Sequence, residues 1–260
     1  PRMDGVEVVW FDWHYHYDIK KIKLENITYH DRYQFKQNII TPLDWIKRYK
    51  KTGINWFSFA WNGMISFKHL LSYNLYFIDK IIHEDVAFGT NLFLSCNFIT
   101  YLPQKLYNYR IRENSLCDYN NGNNHTWITP YMKNIYDQFQ DIQQTKSYHR
   151  ASSEVLTCIE LLNFIENKIP NKYSKNILKN ILNDRILCLW IILDYKKDPL
   201  KVLNKIPRQL LYQKIFYYKK TIENLNRTLK DKTNELKNKN NHFLILKDKE
   251  FFFTFHSLYG

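Results

Sequence analysis

The stretch "IIHEDVAFGTNLFLSCNFITYLPQKLYNYRIRENS", Ile81 to Ser115, changes its hydrophobic period partway along. Phe88, Leu92, Phe93 and Cys96 recur at helical spacing, which predicts a helix that begins near Asp85 and buries this stripe. "FITYL" (98–102) then reads as a strand, Pro103 is expected to break it, and "KLYNYRI" resumes extended structure. A helix feeding directly into a strand marks an α/β chain.

The segments on either side extend the same pattern. Upstream, Val6–Tyr17 reads as a strand whose odd-numbered face, Val9, Phe11, Trp13, Tyr15 and Tyr17, is apolar and expected to pack inside. Its even-numbered face carries Asp12, His14, His16 and Asp18 and is expected to be wet or to line a cleft. Four ligand-type side chains in line along one strand cannot converge on a single ion without partners from elsewhere, so a dedicated metal site is not expected there. "TPLDWIKRYKKTG" (41–53) is expected to form a helix with Thr41 as N-cap, Pro42 in the first turn and Gly53 as terminator. "INWFSFAWNGMISFKHLLSYN" (54–74) reads as a short aromatic strand followed by a helix.

Downstream, "DYNNGNNH" (118–125) is a turn-rich loop, and the main division of the chain is placed just beyond it, giving residues 1–125 and 126–260. The second part reads as mainly helical. "SSEVLTCIELLNFIENKI" (152–169) is expected to open a helix on a serine cap, and Ile215, Tyr218, Ile222, Leu225, Leu229 and Leu236 fit a long basic amphipathic helix broken only by Lys232.

Composition narrows the class of protein. The chain has 260 residues and 45% hydrophobic content, enough for a sizeable core. Its four cysteines, Cys96, Cys117, Cys158 and Cys188, show no Cys-x-x-Cys spacing, so reduced thiols and a cytoplasmic setting are expected. The longest apolar run, "ILCLWIIL" (186–193), is far short of the ~20 residues that cross a bilayer. Of the net charge of +13, residues 1–166 contribute only 18 basic against 17 acidic side chains, whereas 167–260 carry 20 against 8. A basic C-terminal region draws polyanions, here an anionic membrane surface in preference to nucleic acid, because the aromatics cluster before residue 140 and the charge lies after it.

"HEDVAFGTNLF" followed by "ITYLPQKLYNYRIRENS" resembles the second half of the bacterial GT-A-fold glycosyltransferases of inverting family 2, which build lipooligosaccharide, lipopolysaccharide and capsule. The residues that carry the resemblance are Glu84, Asp85, Phe88, Leu92 and Phe93, then Tyr107, Tyr109, Arg110, Arg112, Asn114 and Ser115. Upstream, "AWNGMISFKHL" is similar to the family's Trp-Asn-Lys segment, with Trp61 and Asn62 in place and Gly63 where a lysine is common. The resemblance covers about residues 1–120. It implies a partial GT-A fold, the acceptor-side part of the enzyme, lacking the donor-binding half and followed by a helical extension.

What the resemblance implies for chemistry is sugar transfer from a nucleotide-sugar, of the UDP-sugar kind, to a lipid-linked or oligosaccharide acceptor at the inner face of the cytoplasmic membrane. The transferred group would be a hexose or N-acetylhexosamine. Inversion needs a carboxylate to take the acceptor hydroxyl's proton as it attacks the anomeric carbon. Asp85 is assigned that role, and at a helix start the N–H groups and dipole are expected to favour its ionised form. Glu84 is expected to organise the site, with His83, Trp61, Asn62, Arg110 and Arg112 binding substrate. The two arginines could instead hold a strand edge through Glu113 or Asp118. A divalent Mg or Mn ion on an Asp-x-Asp pair is implied for the intact enzyme, and no such pair occurs in this sequence. The competing readings are a non-catalytic basic helical binding protein for nucleic acid or a protein partner, and an inactive remnant of such an enzyme.

Overall fold

The computed structural model describes residues 5–18, 27–54, 57–111, 127–169, 175, 182, 187–207 and 223–235. It is an α/β protein built on a four-stranded mixed sheet of order β2-β4-β1-β3. The long strands β1 (Val8–Tyr17) and β4 (Ile99–Ile111) lie side by side in parallel. The short β2 (Ile39–Ile40) and β3 (Gly63–Ile65) flank them in antiparallel sense. Parallel neighbours require a crossover, and here it holds α1 (Tyr29–Tyr33), α2 (Pro42–Thr52), α3 (Phe67–Tyr73) and α4 (Glu84–Ser95).

The local signals in α2 act as read from the sequence. Thr41 and Asp44 form a reciprocal capping box, Pro42 occupies the first turn, and Gly53 ends the helix at φ 67°, in the left-handed region. The Thr41 Oγ1 accepts the Asp44 N–H at 3.2 Å while Asp44 Oδ2 accepts the Thr41 N–H at 3.0 Å. Thr41→Ala is expected to lower stability by about 1 kcal/mol, measured as a shift of the urea midpoint at unchanged slope. A second box, Thr28 with Asp31, starts α1.

Three expectations need correction. Pro103 does not break β4, which runs on to Ile111. The mismatch is absorbed by register shifts at Phe11, Asp12 and Trp13, which face Leu102, Lys105 and Tyr107, so the extra residues of β4 form a bulge that needs no amide at Pro103. In the aromatic stretch before Trp61 the described residues 57–60 are not a strand; Phe57 and Phe59 are buried in the core and the Phe59 N–H bonds the Asp85 carbonyl at 3.2 Å. Nor does a helix begin at Ser152. It is α6, Ile142–Lys168, capped by Asp141 through the Gln144 N–H at 2.6 Å. Ser152 and Ser153 lie buried inside it, their hydroxyls donated to the His149 carbonyl one turn back.

Trp10 is the hub of the core. Its indole contacts His30, Tyr33, Phe57, Phe93 and Tyr101, with ring centroids between 4.7 and 5.5 Å, mostly edge-on as aromatic quadrupoles prefer. The even-numbered face of β1 is therefore not wholly wet. Val8, Trp10 and Asp12 are buried, and Asp12 sits 3.6 Å from His30 Nδ1. Val8 and Trp10 on one face and Val9 on the other are all buried, so both faces of β1 are covered at its start and alternation by itself does not report which side is solvated.

Two glycines let Phe59 into this core. A Cβ at Gly63 would stand 2.3 Å from the Phe59 ring and 2.5 Å from the Val9 carbonyl oxygen, and one at Gly89 in α4 would stand 2.6 Å from the Phe59 nitrogen. Phe164, Ile165 and Ile169 at the end of α6 join the same cluster, which makes Pro1–Pro207 one compact unit. The division expected between 125 and 126 lies outside the described residues. In the second unit, Arg208–Gly260, residues 223–235 form a helix exposed on every side. The described part of the expected amphipathic helix has three basic and three acidic side chains; the rest of that pattern lies outside the described residues. Among the described residues no helix is long and apolar enough to cross a membrane.

Candidate active site at the aromatic end of the sheet

β3 pairs only with Val8–Trp10 and β2 only with Ile99 and Thr100. Beyond them β1 and β4 continue as a two-stranded parallel ribbon to Tyr17 and Ile111. Because strand side chains alternate, one ribbon face gathers Trp13, Tyr15, Tyr17, Tyr107 and Tyr109, and the other His14, His16, Asn108, Arg110 and Asp18. The carboxyl ends of parallel strands are where α/β sheets place ligands.

Trp61 lies over the aromatic face. Its ring is 5.1 Å from Trp13, 5.1 Å from Tyr107 and 4.6 Å from Tyr109, the last at 36°. Trp13 in turn touches Tyr29 of α1 at 5.5 Å. Tyr29 is hydrogen-bonded to the Ser58 hydroxyl at 3.0 Å and accepts the Ser58 N–H at 3.2 Å. The Ser58 side chain lowers the Asp85 pKa, and the N–H of the next residue, Phe59, donates to the Asp85 carbonyl at 3.2 Å. The segment Ser58–Phe59 therefore links the start of α4 to Tyr29, and Tyr29 leads through Trp13 to Trp61.

Asp85 occupies the first turn of α4. The sequence reading held that the helix start would favour its ionised form, and the balance falls the other way. Burial, reinforced by the neighbouring Glu84 charge, raises its pKa to about 6, and the hydrogen bonds from its own backbone and Ser58 only partly offset this. A carboxyl poised there is a better base near neutral pH than an ordinary aspartate, because its conjugate acid is weaker while the ionised form still prevails. Burial likewise pushes the Tyr29 phenol up, keeping it neutral as a hydrogen-bond donor. Glu84 is exposed.

The other expected binding residues are placed differently. His83 is the N-cap of α4, in the left-handed region at φ 61°, with its pKa lowered by burial and by Arg150. Asn62 is buried, its carbonyl accepts the Phe11 N–H at 3.0 Å, and its side-chain amide has no hydrogen-bond partner among the described residues. Arg110 is on the ribbon face opposite Trp61. Its Nε donates to both Asp18 oxygens at 2.9 and 3.1 Å and its Nη2 lies 2.7 Å from Oδ2, so Asp18 is its partner among the described residues; Glu113 and Asp118 lie outside them. Arg112, with Asn114 and Ser115, lies outside the described residues. Gly63 is enforced by the Phe59 ring.

Tyr29 and Ser58 were not singled out in the sequence. Tyr29 follows the readable Thr28–Asp31 cap, and Ser58 interrupts the Phe57–Phe59 alternation on the side away from the core, which is the one signal that marks it. Among the described residues no three His, Cys, Asp or Glu side chains come together to hold a metal ion.

No protein-family model matches the chain, and neither the curated proteins nor the solved structures yield a significant match.

Proposed function

We propose that this chain is the acceptor-side part of an inverting GT-A-type glycosyltransferase with Asp85 as general base. The observation that carries the reading is the raised Asp85 carboxyl at one end of a contact chain whose other end is a half-exposed aromatic ribbon. Aromatic faces receive the C–H faces of sugar rings, and a neighbouring carboxylate can then take the hydroxyl proton.

In this reading a sugar acceptor lies against Trp61, Tyr107 and Tyr109. Its hydroxyl donates its proton to Asp85 as the oxygen attacks the anomeric carbon of a nucleotide-sugar, the bond to the diphosphate breaks, and the diphosphate leaves with the electron pair. Ser58 and Tyr29 hold the carboxylate in place and stabilise it while it is charged. Proteins of this type work at the inner face of the cytoplasmic membrane on surface glycans, and the same setting is proposed here, with the basic residues after 167 facing anionic lipid.

The acceptor half of the proposal is testable on the chain itself. Trp61→Ala is expected to weaken oligosaccharide binding about tenfold or more, followed by tryptophan-independent titration calorimetry against a panel of bacterial surface oligosaccharides. Equal binding by the variant and the parent chain, or none by either, would remove the ribbon as an acceptor platform.

A further inference from the structure

Asp85 is carried into position by a turn whose shape its own residues do not favour. The segment Asp79–His83 contains two non-glycine residues in the left-handed region, Lys80 at φ 58° and His83 at φ 61°. Such conformations persist only where surrounding structure imposes them. The helix that follows holds the turn through its backbone, the Val86 N–H donating to the His83 carbonyl at 3.1 Å, with no side-chain cap bond from His83.

Further restraint, on the residues before His83, comes from α6. His149 Nε2–H donates to the Lys80 carbonyl at 2.9 Å. Ser153 Oγ accepts the Ile82 N–H at 3.1 Å and donates its own proton to the His149 carbonyl at 2.7 Å. The two side chains are four residues apart, hence on one face of the helix, and both are buried. The bonds grip the turn at the Lys80 carbonyl and the Ile82 N–H, both within the stretch bounded by Lys80 and His83. Burial lowers the His149 pKa, which keeps the ring neutral.

We propose that His149 and Ser153 are positioning residues which fix the Asp79–His83 turn and so aim Asp85 at the aromatic ribbon. The inference rests on the reading of Asp85 as the base, but it concerns where that carboxyl is held. The groups facing Asp85 are Glu84 on its own helix, Ser58 from the extended segment and Tyr29 from α1; His83 on the turn is faced by Arg150 of α6. Losing either clamp would let the turn relax and water reach the carboxyl.

The test follows the Asp85 carboxyl by carbon NMR titration and the Ile82 amide by hydrogen exchange in the full chain, with Ser153→Ala, His149→Phe and His149→Gln. In Ser153→Ala and His149→Phe the Asp85 midpoint is expected to fall from about 6 toward the ordinary value of about 4. Ile82 exchange should rise about tenfold or more. His149→Gln keeps an N–H for the Lys80 carbonyl and should stay close to the parent chain. Ser153→Ala removes one hydroxyl and keeps the test alive if His149→Phe does not fold. A lowered melting temperature with the Asp85 midpoint unmoved in the folded variants would overturn the proposal, since that is the mark of a merely structural role. Failure of the transfer reading shows separately, as absent oligosaccharide binding by a parent chain whose clamp variants still shift Asp85.

Discussion

Asp85→Asn is expected to lower sugar transfer by two to four orders of magnitude, the usual contribution of a positioned general base. The amide keeps the size of the carboxyl, so acceptor affinity should change little and the loss should fall on the rate constant. The pH dependence gives the sharper signature. With its midpoint near 6, Asp85 gains the ability to accept a proton as pH rises through that value, so the rate should climb from pH 5 to 7 and level off. Stability should move oppositely. A carboxyl raised in the folded state contributes stability that is complete below its unfolded value of about 4 and is lost as pH rises through the folded value. Asp85→Asn should therefore flatten both the rate profile and the stability profile between pH 4 and 7. Transfer assays on the protein as it occurs in its host, with UDP-sugar donors and melting curves at each pH, would show both. Full activity in the asparagine variant would remove Asp85 as the base.

Trp10→Ala is expected to cost about 3–5 kcal/mol, the range for emptying a large buried aromatic site. Trp10 is fully buried and touches five rings, from α1, α4, β4 and the segment at Phe57. Domains of this size hold only ~5–15 kcal/mol in total, so the variant should be partly unfolded at 37 °C. Phe67, 70% exposed on α3, is the matched control: Phe67→Ala should stay within about 0.5 kcal/mol of the parent. Urea denaturation followed by far-UV circular dichroism distinguishes the two, and similar midpoints for both variants would remove Trp10 as the hub.

What could be read from the residues alone follows from how local each signal is. The capping box and glycine stop of α2 act within one turn, and the apolar stripe of α4 repeats over its length, so both were legible. Pro103 was misread because a proline's cost depends on whether the partner strand needs its amide, and the bulge removes that need. Ser152 was misread because a serine followed by glutamate looks the same at a helix start as in a helix interior, where its hydroxyl turns back to a carbonyl. Asp12 is buried because elements far along the chain cover β1 at its start. Asp85 was placed correctly at the opening of a helix, but its charge preference depends on burial, which the folded chain sets and local sequence does not show.

The ribbon also has an optical consequence. Trp13 and Trp61 stand 5.1 Å apart at 75°, near enough for their excited states to mix, and the crossed orientation makes that mixing strongly chiral. The pair should dominate the near-ultraviolet circular dichroism of the protein and vanish in Trp61→Phe. Any ligand that slides between the ribbon and its covering indole would be seen as a change in that one band, with no label attached and no knowledge of what the ligand is.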